Sequence, residues 1–374
     1  MESPLSVALA LSAALCGLGM AAARAESLVG FQRLSFPEAG DCRAVEGGLW
    51  YPTTDVARES ALVGDDPILA GEVVRPGAEP QPGRHALVVL SHGYGGNWTS
   101  QQWLAVDLAR HGYVVAAPNH PGSTSRDIAH PAGAHPAGAH PAAAHPQAAK
   151  PWTRPREIGC VIDGLNGGLN GDGRWSGLLI SGDAAVIGHS LGGWTAMVLA
   201  GGRFDPERLA GACKAHPAMA ACRPQIGGLR RDPDALAAWA RPMADRRIRA
   251  AVTLDLGLSQ GFDPASLAAV DVPVLVVAAG PGDADMPADL ESGHLADHLP
   301  AGRSERATIA DAGHFSFLGV CKAGAVPLLE AQQPGGGMIC RDGGGRDRPA
   351  IHRQTSDIVV HFMNEVMPPF RPPF

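Results

Sequence analysis

Short runs of apolar, often β-branched residues recur along the chain at 86–90, 113–117, 184–187, Ile248–Leu254, 272–278 and 306–309. Runs without polar alternation predict strands buried on both faces, as in a parallel sheet covered by helices. Between them, apolar spacing predicts helices at 100–110, Arg154–Leu165, 191–200, 287–298 and 355–366. Strand and helix therefore alternate, which is the order of an α/β fold. Ahead of this part, residues 47–75 predict antiparallel strands and turns.

Two stretches depart from that pattern. Residues 5–23 are apolar and small and lead into Ala23-Arg24-Ala25, whose small residues at alternate positions suit signal-peptidase cleavage after Ala25. The expected organisation is a signal peptide at 1–25 and a single domain over 26–374, periplasmic or secreted. No later stretch approaches the roughly 18 apolar residues of a membrane span, so no stable span is expected after cleavage. The second departure is a low-complexity insertion at about 125–150, where His130-Pro131, His135-Pro136, His140-Pro141 and His145-Pro146 repeat in an Ala/Gly background. Proline at this density excludes helix and central strand, leaving an extended surface segment.

Composition narrows the function. A net charge of −7 argues against a nucleic-acid binder, which needs a concentrated basic surface. With 45% hydrophobic and 18% charged residues, the chain can bury a large core. Of seven cysteines, Cys16 falls in the leader, and an even number in an exported chain reads as disulfides. Cys213 with Cys222 and Cys321 with Cys340 are the preferred pairs, each closing a short loop. No cysteine pair has zinc-finger spacing, and His294 with His298 lack a third ligand, so neither metal nor other cofactor is expected.

Candidate chemistry centres on Gly-x-Ser-x-Gly, which occurs as Gly188-His189-Ser190-Leu191-Gly192 and as Gly257-Leu258-Ser259-Gln260-Gly261. Glycine is abundant here, so context must choose. A nucleophile elbow needs a buried strand before the serine and a helix directly after it. Ser190 has both; after Ser259 a helix waits until Pro264, with Asp263 as its cap. The oxyanion that forms on acyl attack needs N–H donors, and these are assigned to Leu191 and to Tyr94 in Ser91-His92-Gly93-Tyr94-Gly95-Gly96. The base must sit at the carboxyl edge of the sheet, and His314, following the 306–309 strand, is the candidate. His189 is read as a turn residue, and His352 and His361 as surface residues. For the acid that orients His314, Asp283 is preferred, with Asp255 and Asp285 as alternatives, since all three follow strands.

Together the segments 88–96, 112–122, 186–193, 272–277 and 312–318 resemble the α/β-hydrolase superfamily, nearest to dienelactone hydrolases and platelet-activating-factor acetylhydrolase-like enzymes. The resemblance implies an α/β-hydrolase fold, a mostly parallel central sheet with helices on both faces. Dienelactone hydrolases use a cysteine nucleophile where this chain has Ser190. The acetylhydrolase branch carries its acid after the strand that follows the nucleophile strand, here Asp255. The expected activity is that of an exported serine hydrolase cleaving a small-molecule or lipid-like ester through an acyl-enzyme. Acyl transfer by the same residues and a catalytically silent binding protein are the alternatives, and oligomeric state is left open.

Overall fold

A computed structural model describes residues 28–129, 150–167, 173–223 and 233–371. The expected leader with its expected cleavage site and most of the His-Pro insertion, residues 130–149, lie outside the described residues.

The strands are β1 (Leu28–Phe36), β2 (Val45–Thr53), β3 (Ala61–Val63), β4 (Glu72–Pro76), β5 (Arg84–Ser91), β6 (Val114–Pro118), β7 (Leu179–His189), β8 (Ile248–Leu254), β9 (Val274–Ala279), β10 (Ser304–Ile309) and β11 (Phe370–Arg371). They form one sheet in the order β10-β9-β8-β7-β5-β6-β2-β1-β4-β3, with β11 antiparallel to the start of β5. From β10 to β6 all neighbours are parallel, while β2 joins β6 antiparallel. The six expected apolar runs supply β5 to β10, and every residue of β6 and β9 is buried.

Alternation along each strand divides the core in two. In β7, Ala184 and Val186 face the helices Arg154–Leu165 and Leu191–Leu199, whereas Ala185 and Ile187 face Gln102–Arg110 and Arg348–Val366. Covering both faces makes this an α/β fold. The last helix starts before the expected 355, at Arg348, because Asp347 caps it by accepting the Ala350 N–H at 2.9 Å. The expected 287–298 helix is instead a wide turn, Asp289–Gly293, running into a short helix, His294–His298.

Among the described residues three disulfides are present, Cys42–Cys160, Cys213–Cys222 and Cys321–Cys340. The last two close local loops, whereas the first spans 118 residues and ties the β1–β2 connection to helix Arg154–Leu165. Three disulfides fit an oxidising compartment. Among the described residues no helix is long and apolar enough to cross a membrane. Strands β5, β7, β8, β9 and β10 all end on one edge of the sheet, and the candidate residues follow them there.

Candidate active site

Ser190 occupies the bend between β7 and helix Leu191–Leu199 with φ 55° and ψ −118°, a positive-φ conformation costly for a residue with a side chain. The flanking glycines explain how the bend closes. A side chain on Gly188 would meet the Gly192 carbonyl oxygen at 1.9 Å, and one on Gly192 would meet the Ser91 carbonyl oxygen at 1.8 Å. Strand, helix and the neighbouring β5 exit therefore touch through bare backbone. Ser190 is fixed by its N–H to Leu254 O at 3.1 Å and by the Gly193 N–H on its own carbonyl at 2.9 Å.

His314 lies just beyond β10, in the short turn His314–Phe317. Its Nε2 is 3.1 Å from Ser190 Oγ, and its Nδ1–H donates to Asp255 Oδ2 at 2.6 Å. Asp255 immediately follows β8, is buried, and has φ 46°. Its other oxygen accepts the Ala279 N–H at 3.0 Å, and its own N–H donates to Val277 O at 2.7 Å, so β9 holds it from two sides.

The carboxylate at the imidazole is thus Asp255 and not the preferred Asp283. Asp283 is exposed, and its Oδ1 accepts the N–H groups of Asp285 and Met286, both at 2.9 Å. Its carboxylate is spent on its own turn. Asp285 pairs with Arg223. Ser259 sits in the loop after Asp255 and is buried, with the helix starting at Pro264 as its cap predicts.

The remaining histidines differ from their reading as turn or surface groups, His361 excepted. His189 is buried beneath His314, donating from Nε2 to the His314 carbonyl at 2.8 Å with ring centroids 4.7 Å apart. Burial, reinforced by the nearby His314, lowers its pKa to about 3, so it remains neutral beside the candidate base. His352 is buried too, stacked on Trp103 with ring centroids 3.8 Å apart. His361 is exposed, facing Glu365 at 3.5 Å. His294 and His298 are half-buried, and among the described residues no group of side chains forms a metal site.

Both expected oxyanion donors border Ser190. Leu191 opens the helix after it, and a side chain on Gly93, next to Tyr94, would lie 3.2 Å from Ser190 Cβ. Among the described residues neither the Leu191 N–H nor the Tyr94 N–H donates to a protein acceptor.

Two supporting groups have no signal in the sequence pattern. Glu291 is buried and accepts the Ser259 N–H at 2.7 Å, gripping the loop that begins at Asp255. Burial pushes its pKa up to about 8. Arg154, Glu157 and His120 form a second buried cluster behind the Gly93 loop. Both sets come from helices and turns remote in sequence, so only proximity in space reveals them.

Comparison with known proteins agrees with this architecture. Residues 23–129 match the family model described as platelet-activating factor acetylhydrolase, isoform II. No curated protein matches the chain. Among solved structures, a ferulic acid esterase from Streptomyces cinnamoneus superposes with a TM-score of 0.57 at 21% identity, covering 94% of this chain and 93% of that one. In all, 524 chains of solved structures match, and a fold so widely used does not by itself select a substrate. The chain is an α/β-hydrolase in fold, as its sequence motifs imply.

Proposed function

We propose that this chain is an exported serine hydrolase that cleaves carboxylic esters through an acyl-enzyme, with Ser190 as nucleophile, His314 as base and Asp255 as the orienting acid. The observation that carries the reading is the unbroken relay from Asp255 through His314 to Ser190, with contacts of 2.6 and 3.1 Å, at a strained strand–helix bend. The matched family and the superposed esterase support the ester class. Export is supported by the leader and by the three disulfides. The same reading takes 1–25 as removed and the rest as one catalytic domain carrying the 125–150 insertion.

His314 Nε2 accepts the proton as Ser190 Oγ bonds to the ester carbonyl carbon. The carbonyl electron pair moves to its oxygen, where the N–H groups of Leu191 and Tyr94 stabilise the oxyanion. Asp255 fixes the imidazole tautomer and stabilises the imidazolium without taking the proton. Collapse expels the alcohol oxygen, which takes the proton from His314. Water then adds to the acyl carbon with His314 again as base, releasing the acid and restoring Ser190. His189, kept neutral by burial, adds no positive charge that would compete with this imidazolium.

The test is hydrolysis of a p-nitrophenyl ester series from acetate to palmitate, together with methyl ferulate. Ser190→Ala should lower kcat roughly 10⁵-fold or more on whichever ester is best. A variant that retains wild-type turnover overturns the assignment. The fluorophosphonate label expected on Ser190 separates an enzyme from a silent scaffold, and product partition with added alcohol separates hydrolysis from acyl transfer.

A further inference from the structure

Behind the loop that leaves β5 lies a set of buried polar groups that make no hydrogen bond to Ser190 or His314. At its centre is Arg154, the first residue of helix Arg154–Leu165 and only 1% exposed. Its Nη1 donates to the His92 carbonyl at 2.5 Å, and its Nη2 donates to Ser123 Oγ at 2.7 Å and to the Gly93 carbonyl at 3.4 Å. The Gly93 oxygen also accepts His92 Nδ1–H at 2.7 Å and the Gly96 N–H at 3.2 Å.

The surroundings fix these donors. His92 Nε2 accepts the His120 N–H at 3.0 Å, which leaves the proton on Nδ1, where it meets the Gly93 oxygen. His120 in turn donates from Nδ1 to Glu157 at 2.6 Å and accepts Ser91 Oγ–H at 2.9 Å. Glu157 also receives Arg43 and Thr153. Burying a guanidinium costs several kcal/mol, and packing alone would be served by an apolar side chain. An electrostatic task accounts for its presence.

That task follows from peptide geometry. No peptide among the described residues is cis, and in a trans peptide the C=O and N–H point in opposite directions. Holding the Gly93 oxygen toward Arg154 therefore turns the Tyr94 N–H away from it, and that N–H has no protein acceptor among the described residues. A cation at the oxygen end of a peptide also makes its N–H a stronger donor. We propose that Arg154 is a positioning residue of the oxyanion hole, orienting and polarising the Gly93–Tyr94 peptide whose N–H holds the developing negative charge. This rests on the assignment of Ser190 as nucleophile.

The test compares an ester with its thionoester, in which sulfur replaces the carbonyl oxygen and accepts hydrogen bonds weakly. Arg154→Met should lower kcat on the ester about 10²-fold, with KM changed less than about threefold. The thionoester rate should fall less than about tenfold, and Arg154→Lys should lie between wild type and Met. A folded Met variant that loses both substrates equally overturns the proposal. Should the Met variant fail to fold by circular dichroism, the Lys variant decides: a selective loss on the ester supports the role, and an unchanged ratio overturns it. Ser190→Ala, measured alongside, separates the two layers. If it stays active the hydrolase reading has failed; if it is inactive while the ratios are flat, only the role of Arg154 has.

Discussion

The loops that leave β8 and β9 look alike in sequence: each places an aspartate shortly after an apolar strand, with glycine close by. They end differently. Asp255 follows β8 directly, enters a left-handed conformation, and meets partners from distant segments, the Ala279 N–H and the His314 ring. Asp283 lies four residues beyond β9 and closes on the N–H groups of its own turn. An aspartate free to satisfy itself locally does so, because an Asx-type turn loses little chain entropy. One pinned at a strand end has no such turn available and stays open to a partner across the sheet edge.

Substituting the two aspartates is the sharpest way to break that contrast. Asp255→Asn should lower kcat about 10³–10⁴-fold in the ester assay, since an amide cannot favour the required tautomer or stabilise the imidazolium. Equal losses for Asp255→Asn and Asp283→Ala would erase the distinction. The next effect tests the grip on the β8 loop. Glu291, with a folded pKa of about 8 against an ordinary 4.5, keeps a proton that the unfolded chain releases, so its contribution to stability falls as pH rises from about 4.5 to 8. Gln at this position does not titrate. In urea unfolding, Glu291→Gln should therefore gain on wild type between pH 5 and pH 8 by a few kcal/mol, because each tenfold difference in proton affinity between folded and unfolded chain is worth about 1.4 kcal/mol. A difference independent of pH would show that the carboxyl ionises freely in the fold. Smallest is Asp283→Ala, which loses two bonds within its own turn: kcat within about twofold of wild type and a stability loss of about 1 kcal/mol by the same unfolding assay.

The elbow is legible because its demands are local. Gly188 and Gly192 are required where strand, helix and neighbouring strand touch through backbone, and Ser190 stands midway between them. The same holds for the cap at Asp263 and the two short disulfides, whose partners are near in sequence. His314 stands after a strand that ends on the same edge, and the fold brings its ring to Ser190. The neutral His189 beneath it reads from the sequence as a turn residue, because its burial by Phe317 and the His314 turn depends on chain 125 residues away.

By itself, the order of apolar runs and turn residues determined a parallel sheet covered on both faces, and the glycines around position 190 determined where its strained bend lies. Those are consequences of periodicity and of steric exclusion, which act between near neighbours along the chain. Tertiary structure decided which aspartate reaches the imidazole. It also decided that Arg154, His120 and Glu157 meet behind the Gly93 loop. Each of these depends on groups from separate strands and helices arriving at one edge of the sheet, where desolvation makes an unpartnered charge costly and so selects the partner that geometry supplies.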